Sequence, residues 1–325
     1  FNNDPQSATN ALQEINRLAG IRAWAYRNAK DLVVLGRAAL KLGGDPKIVL
    51  DKLYTAARED NPEFVGTALA IGDLALSKSD YELAGRTFQQ ALKKHPKNAE
   101  LHFGTALAFA SSDRKIMAHH LQSTLGINTN HIGARLLLVD HLIDREAYDD
   151  AAKQISLALK VNPHHPEAWA YRSVIAHLRE DKAAEKTARA QALKHWKTNP
   201  KVDHIIGKKL SQKYRFIEGS AHQRQALVFD KDFLPAKIQL AQDLLRLGLE
   251  REGWAMVEAA HEIDGYDVTT FNLVTLKDTL DKYTTLTNAN FRVRMTPHEA
   301  VIYGPRALRL LEKAHATLSK KYGLK

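Results

Sequence analysis

The 325-residue sequence predicts an all-α fold, an α-solenoid of helical hairpins followed by one short strand and a helix at the C-terminus. Three observations predict this fold. Small and large apolar residues recur about every 34 residues, the period of a stacked helical-hairpin repeat. Asn-Pro pairs lie near the expected repeat boundaries, at 61–62, 162–163 and 199–200. A convincing strand-like alternation occurs at 291–295, after the repeats.

The clearest repeat runs from 61 to 98. Small residues at Gly72 and Ala84 let two antiparallel helices approach closely, and Phe88 fills the groove beside them. Pro96 ends the second helix because proline has no N–H to donate. The same register continues through later units at Ala106, Phe109, Ala118, Leu125, Ala151, Ile155, Ala158, Trp169, Ala192, Gly207 and Ala226. This pattern resembles the tetratricopeptide repeat, whose units stack into one elongated body.

The helices follow in order from this register. Residues 11–29 predict a helix with Leu12, Ile15 and Leu18 on one face. Segments 31–42 and 46–59 predict a first, irregular hairpin, since two glycines at 43–44 break the helix between them. Six regular hairpins are then expected at 62–98, 99–131, 132–165, 166–199, 200–234 and 235–266, with the second helix of the fourth reaching about 197, and a further helix at 268–283. The solenoid of about seven hairpins is therefore predicted to occupy residues 1–283.

The pattern changes after residue 283. The polar segment 284–290 is expected to be a linker, and the strand at 291–295 alternates apolar residues with Arg292 and Arg294. Thr296, Pro297 and Glu299 then form the signature of a capped helix start, so a helix to about 322 is expected. Because one strand cannot satisfy its hydrogen bonds alone, 291–325 is predicted to be the beginning of a second, truncated domain.

Composition limits the possible functions. The apolar share of 44% supports a continuous core. The sequence has no run of 18 uncharged apolar residues, so no membrane span is predicted. The sequence has 0 cysteines, which excludes disulfides, thiol catalysis and cysteine-bound zinc. It starts at Phe1 without a signal-peptide pattern and is expected to be a processed product or a fragment. The compartment stays open, either cytoplasmic or extracytoplasmic after signal removal.

Four segments resemble bacterial tetratricopeptide proteins whose repeats precede a gluzincin-type, peptidase MA-like zinc metallopeptidase domain. They are LSQKYRFIEG, LPAKIQLAQDLLRLG, YDVTTFNLVTL and FRVRMTPHEAVIYGPRALRLLEKAHATLSKKYG. The resemblance implies a zinc site built on a HExxH helix with a further Glu. His261-Glu262 and His298-Glu299 both lack the second His. This chain is therefore expected to be non-enzymatic, with no catalytic or metal-binding residue and no cofactor, and any peptidase activity would belong to a longer parent protein.

The groove-facing positions of the first helix in each unit are the candidate binding residues. They are Asp73, Glu100, Phe103, Asp140, Glu167, His177, Lys201, His204, Lys208, Gln239, Asp243 and Arg246. Acidic and apolar residues in the early units do not match the Lys and Asn pattern of modules that grip a terminal carboxylate. Two interpretations stay open at this point. The inner surface is either a groove for protein or peptide segments or a solvent-exposed surface that binds no partner.

A basic unit at 194–224 offers an alternative function. It carries eight Lys or Arg residues against two acidic ones, out of a net charge of +10. Lysines beside Trp196, Tyr214 and Phe216 resemble a nucleic-acid patch in composition. Tyr214 and Phe216 also fit as packing residues of their own repeat. The main hypothesis is a non-catalytic scaffold for protein or peptide partners, with the substrate-holding part of a zinc peptidase and nucleic-acid binding through 194–224 as alternatives.

Overall fold

The computed structural model describes residues 5–21 and 27–323. Helix α1 spans Pro5–Ile21 and so begins before the predicted residue 11, whereas 22–26 of the predicted helix and the side chain of Leu18 lie outside the described residues. The first hairpin pairs α2 (Ala29–Lys41) with α3 (Pro46–Ile48), a π-helical turn (Val49–Tyr54) and α4 (Thr55–Asp60). Asn28 caps α2 and Asp45 caps α3 by accepting backbone N–H bonds.

Six further hairpins follow and confirm the predicted α-solenoid. They are α5 (Val65–Ser77) with α6 (Tyr81–Lys94), α7 (Ala99–Phe109) with α8 (Arg114–Ile127), α9 (Ile132–Asp144) with α10 (Tyr148–Val161), α11 (Pro166–Leu178) with α12 (Lys182–Ala192), α13 (Pro200–Gln212) with α14 (Phe216–Phe229), and α15 (Leu234–Arg246) with α16 (Glu250–Ile263). The first helices of successive hairpins contact each other. Each hairpin therefore buries its apolar face against its neighbours, as a repeat array must.

Phe88 shows how the small and large positions interlock. Its side chain is 0% exposed and lies between α5 and α7. A Cβ atom at Gly72 would lie 2.1 Å from Phe88 Cζ, and one at Gly104 would lie 2.6 Å from it. Glycine at both positions is what leaves room for the ring, so the predicted packing of Phe88 is confirmed.

The turn inside most hairpins uses a left-handed residue. Ser79, Glu146, Glu180, Tyr214 and Gly248 have φ angles of 58°, 60°, 60°, 62° and 75°. The next residue donates its N–H to a carbonyl of the last helical turn, as in Arg215 N to Leu210 O at 3.0 Å. This is the Schellman arrangement that satisfies free carbonyls at a helix end. Positions 146, 180, 214 and 248 are equally spaced, so the register extends to the turns.

The second helix of the fourth regular hairpin is shorter than predicted. Helix α12 ends at Ala192, not near 197, and the N–H of Leu193 donates to Arg189 O at 3.1 Å. The chain must turn here because Asn199 caps α13, accepting from Lys201 N at 3.1 Å. The prediction was wrong because an extended helix would have left no residues for that turn.

The chain divides into two compact units, Phe1–Thr269 and Thr270–Lys325. Helix α17 (Val268–Leu280) crosses the boundary, and the second unit continues with β1 (Thr284–Thr287), β2 (Arg292–Met295) and α18 (Pro297–Tyr322). The linker predicted at 284–290 is wrong for its first half, since β1 pairs antiparallel with β2 and Leu286 lies opposite Val293. The strand predicted to stand alone thus has a partner. The segment 284–287 is polar, which favours a linker, but it is rich in β-branched Thr, which also favours strands.

Helix α18 begins as predicted. Thr296 and Glu299 form a capping box, with Thr296 Oγ1 accepting from Glu299 N at 3.4 Å and Glu299 Oε2 accepting from Thr296 N at 3.3 Å. Leu286 Cδ1 lies 2.1 Å from the position that a Cβ at Gly304 would occupy. The small residue in α18 therefore lets the helix pack directly on the strand hairpin.

Candidate functional site

A groove of about 690 Å³ lies inside the hairpin array of the first unit. It is lined by α13 and α15, by the end of α5 and by the start of α6. Four of the predicted groove residues line it, namely His204 and Lys208 on α13 and Gln239 and Arg246 on α15. Residues three or four positions apart share one helix face, which is why these side chains face the same space.

The groove carries a positive charge near neutral pH. Lys208 and Arg246 are both exposed, and the Arg246 guanidinium lies 5.5 Å from the ring centre of Phe216. His204 is neutral there, because burial lowers the pKa of its imidazole to about 4. Its Nδ1 is 2.9 Å from Gln223 Oε1, while Gln223 Nε2 donates to His204 O at 3.1 Å. The imidazole of His204 therefore donates its Nδ1–H to Gln223, and this hydrogen bond fixes the orientation of the ring.

The groove also has residues that were not among the predicted groove-facing positions. Gln212 and Gln242 contribute amide groups, and Tyr214 lies at the edge with 81% of its surface exposed. Its ring centre lies 5.9 Å from that of Phe216 in an edge-to-face contact, so Tyr214 touches its own repeat as predicted while most of its surface stays open to the groove. The spacing of Gln242 from Gln239 and Arg246 could have revealed it, since all three share one face of α15.

Asp243, another predicted groove residue, is buried and supports α13 and α15 from behind. Its carboxylate accepts hydrogen bonds from Ser211 Oγ at 2.8 Å and from Gln239 Nε2 at 2.9 Å. Burial raises its pKa despite these two bonds, which act in the opposite direction. Asp243 fixes the position of Gln239 and leaves the amide oxygen of Gln239 available to the groove.

Asp140 is also used internally, by Lys209 of the basic unit 194–224. Lys209 is 1% exposed, and its Nζ lies 2.8 Å from Asp140 Oδ1 and 2.9 Å from Asp144 Oδ1. Lys213 Nζ donates to Asp144 O at 2.9 Å. Helix α13 is thereby tied to α9 across the intervening hairpin. Two of the cations in the basic unit 194–224 are occupied in this way, so the unit is not one continuous basic surface.

Four predicted residues make contacts between neighbouring hairpins. Glu100 Oε1 is 3.3 Å from His131 Nε2, and the Phe103 ring centre is 4.6 Å from that of His131. Lys201 Nζ forms an ion pair with Glu167. These contacts use the predicted side chains to fix one hairpin against the next.

The last two predicted residues also lie away from the 690 Å³ groove. His177 Nδ1 is 3.0 Å from Glu185 Oε1, and its Nε2 is 3.5 Å from Glu218 Oε2. Asp73 lies 3.4 Å from Arg37 and lines a separate cavity of about 850 Å³ between α2, α5 and the 263–266 segment. The structure thus brings together four of the twelve predicted residues and distributes the others among structural contacts.

A set of contacts, here called the clasp, joins the α5–α6 turn to the end of α16. Lys78 forms an ion pair with Asp264, and both side chains are largely buried. Ser79 Oγ donates to Asp267 Oδ2 at 2.9 Å, and Val268 N donates to Lys78 O at 2.9 Å. The clasp brings an early hairpin against a late one, and two of its residues, Ser79 and Asp267, line one side of the groove. No sequence pattern predicts it, since the partners are nearly 190 positions apart.

The residues do not fit the zinc centre that the peptidase resemblance implies. Within 5–21 and 27–323, no group of three or more His, Asp or Glu side chains is arranged to hold a metal ion. In the same residues, no helix is both long and apolar enough to cross a membrane. The groove offers cations, amides and two tyrosines, Tyr81 and Tyr214, which are groups that bind a ligand through hydrogen bonds and charge.

Comparison with known proteins agrees with the repeat assignment. The tetratricopeptide repeat family matches residues 69–115 and 136–194. A chain of the APC/C hetero-tetramer Cut9–Hcn1 is 14% identical, with a TM-score of 0.51 over 82% of this chain, which spans about half (52%) of the Cut9–Hcn1 chain. A tetratricopeptide repeat protein from Parabacteroides merdae ATCC 43184 is 12% identical, with a TM-score of 0.50 over 77% of this chain and 98% of its own. No curated protein matches the sequence. At such identities the structures show the shared fold alone.

Proposed function

We propose that this tetratricopeptide-repeat chain is a non-catalytic scaffold whose inner groove binds an extended segment of a partner protein. The observation that carries the proposal is the 690 Å³ groove, where Lys208, Arg246, Gln239 and Gln242 face one space. Their neighbours Lys209 and Asp243 are buried in internal contacts, whereas these four line an open surface. Preformed clefts with a few convergent polar groups are the usual places where proteins bind ligands.

The test is an array of dodecapeptides of diverse sequence probed with the full chain. Gln242→Trp places a large ring inside the groove and is expected to abolish most of the binding. Gln90→Trp is the matched control, because Gln90 is exposed on α6 and lines neither cavity. Binding that survives Gln242→Trp, or that is lost equally with Gln90→Trp, would reject the groove as the binding site.

We also infer that the chain is the partner-binding or substrate-binding part of a longer protein. The unit built from β1, β2 and α18 departs from the repeat pattern, and Tyr303 and Leu310, seven positions apart on one face of α18, are both exposed. Exposed apolar residues on one helix are typical of a packing or interaction surface.

A substrate-holding role for a zinc metallopeptidase is the second candidate. It is favoured because this unit contains 291–323, one of the four segments that carry the resemblance to peptidase MA-like proteins. The full coding sequence tests it. A HExxH helix downstream in the same reading frame would support the role, and a coding sequence without one would reject it.

A further inference from the structure

We propose that the segment bound in the groove is acidic, with its carboxylates held by Lys208 and Arg246 and its backbone held by glutamine side chains. This inference rests on the proposed peptide-binding function and adds the chemical class of the partner. It follows from how the charges of the groove are used inside the protein.

The two cations of the groove are available, in contrast to their neighbours. Lys201 is paired with Glu167, and Lys209 with Asp140 and Asp144. Within the described part of the chain, neither Lys208 nor Arg246 lies within ion-pair distance of a carboxylate. A groove whose two cations form no ion pair with the protein and outnumber its one lining carboxylate is complementary to a ligand that carries negative charge.

The other lining groups do not cancel this charge. The carboxylate among the lining residues is Asp267, which accepts a hydrogen bond from Ser79. A neutral hydroxyl does not neutralise a carboxylate, so Asp267 offsets one of the two cations and leaves the other in excess. His204 adds no charge at neutral pH because burial holds it in the neutral form. The net charge facing a ligand therefore stays positive above about pH 5, where aspartate and glutamate side chains are ionised.

The amides give the groove its match to a peptide backbone. A glutamine amide offers both a donor and an acceptor, as a peptide unit does. Gln239 uses its Nε2 on Asp243, so its oxygen is left to accept a backbone N–H. Along α15, Gln239 and Arg246 are roughly 10 Å apart at 1.5 Å per residue. That distance is about three residues of an extended chain, so a backbone contact and a carboxylate contact can be made by one short segment.

A nucleic acid is the less favoured occupant. Phosphate backbones are usually held by a row of cations, and much of the potential row on α13 is used in internal ion pairs. Two cations separated by glutamines suit a segment with spaced carboxylates.

The test uses fluorescein-labelled dodecapeptide pools and the full chain. In the acidic pool Asp or Glu alternates with Gly or Val, and in the matched pool each acid is replaced by Asn or Gln. By fluorescence anisotropy we expect the acidic pool to bind about tenfold more tightly or better. Lys208→Gln and Arg246→Gln should each weaken it by about threefold to fivefold, the range for solvent-exposed charge contacts. Lys186→Gln removes an exposed cation from α12 outside the groove and should change nothing.

The outcomes separate this inference from the groove itself. If both pools bind equally and Gln242→Trp abolishes both, the acidic preference is rejected while the groove stands. If binding of the acidic pool is unaffected by Lys208→Gln, Arg246→Gln and Gln242→Trp, both proposals are rejected. If neither pool binds, the acidic segment is rejected. If a single-stranded oligonucleotide of equal charge binds more tightly and is weakened by the same variants, the occupant is nucleic acid. Circular dichroism of each variant checks that it is folded.

Discussion

Phe88 is the residue whose removal should damage the array most clearly. It is 0% exposed, and its ring occupies the space that side chains at Gly72 and Gly104 would need. Phe88→Ala should lower the free energy of unfolding by about 3–5 kcal/mol, the usual result of emptying a large aromatic site. Gly72→Ala should lower it by about 1–3 kcal/mol, because the new methyl would overlap the ring.

A double variant makes the reasoning sharper. Phe88→Leu shortens the side chain that meets Gly72, so its combination with Gly72→Ala should be destabilised by less than the sum of the two single changes. Urea unfolding followed by circular dichroism measures these free energies. Hydrogen exchange should rise first in α5, α6 and α7, because repeat arrays are stabilised mainly by nearest neighbours. A loss below about 1 kcal/mol for Phe88→Ala, or exchange that rises uniformly along the chain, would contradict the packing described for this site.

Three further outcomes are expected. Lys209→Met should lower the free energy of unfolding by about 2–4 kcal/mol, because it leaves two carboxylates without this lysine. Lys208→Met should change the free energy of unfolding by less than about 0.5 kcal/mol. Comparable losses for the two variants would contradict the assignment of Lys209 as the buried, paired lysine. Asp264→Ala should open the clasp and speed amide exchange in both 77–80 and 264–268, and faster exchange in only one segment would contradict it. Burial lowers the pKa values of His120 and His204 to about 4 from 6.5, so the unfolded chain binds protons that the folded chain does not. The free energy of unfolding should therefore fall as the pH drops from about 6.5 to 4, by on the order of 1–2 kcal/mol per histidine. When it is measured by urea unfolding at each pH, His204→Asn should make this fall smaller. An unchanged pH dependence would contradict the pKa assignment.

The sequence predicted the repeat region well because each hairpin is specified locally. Phe88, the Asn-Pro pairs and the recurring small residues lie within one repeat, and their spacing contains the packing geometry. The capping box at Thr296 is equally local. The strand pairing of 284–287 was missed because a polar Thr-rich run forms a strand only when its partner is present, which is a property of the fold.

The groove was predicted in part, and the reason lies in helix periodicity. Register places His204, Lys208, Gln239 and Arg246 on inward faces, as found. It could not show that Asp140 and Asp243 would be taken up by Lys209 and by Ser211, because these partners come from other hairpins.

The clasp could not be predicted for the same reason, since its partners come from different hairpins. Lys78 and Asp264 meet only after the whole array has curved, and that curvature adds up from small rotations between repeats.

The central claim is that a partner segment binds inside the array between α13 and α15. The most direct measurement is photo-crosslinking with p-benzoylphenylalanine in place of Tyr214, an exposed aromatic residue at the groove edge, or at position 90 as the outer-surface control, in the presence of the acidic dodecapeptide pool. Mass spectrometry should find peptide attached at 214 and not at 90, and excess unlabelled pool should suppress the product. Equal crosslinking at both positions, or crosslinking at 90 alone, would contradict the claim that the groove is the binding site.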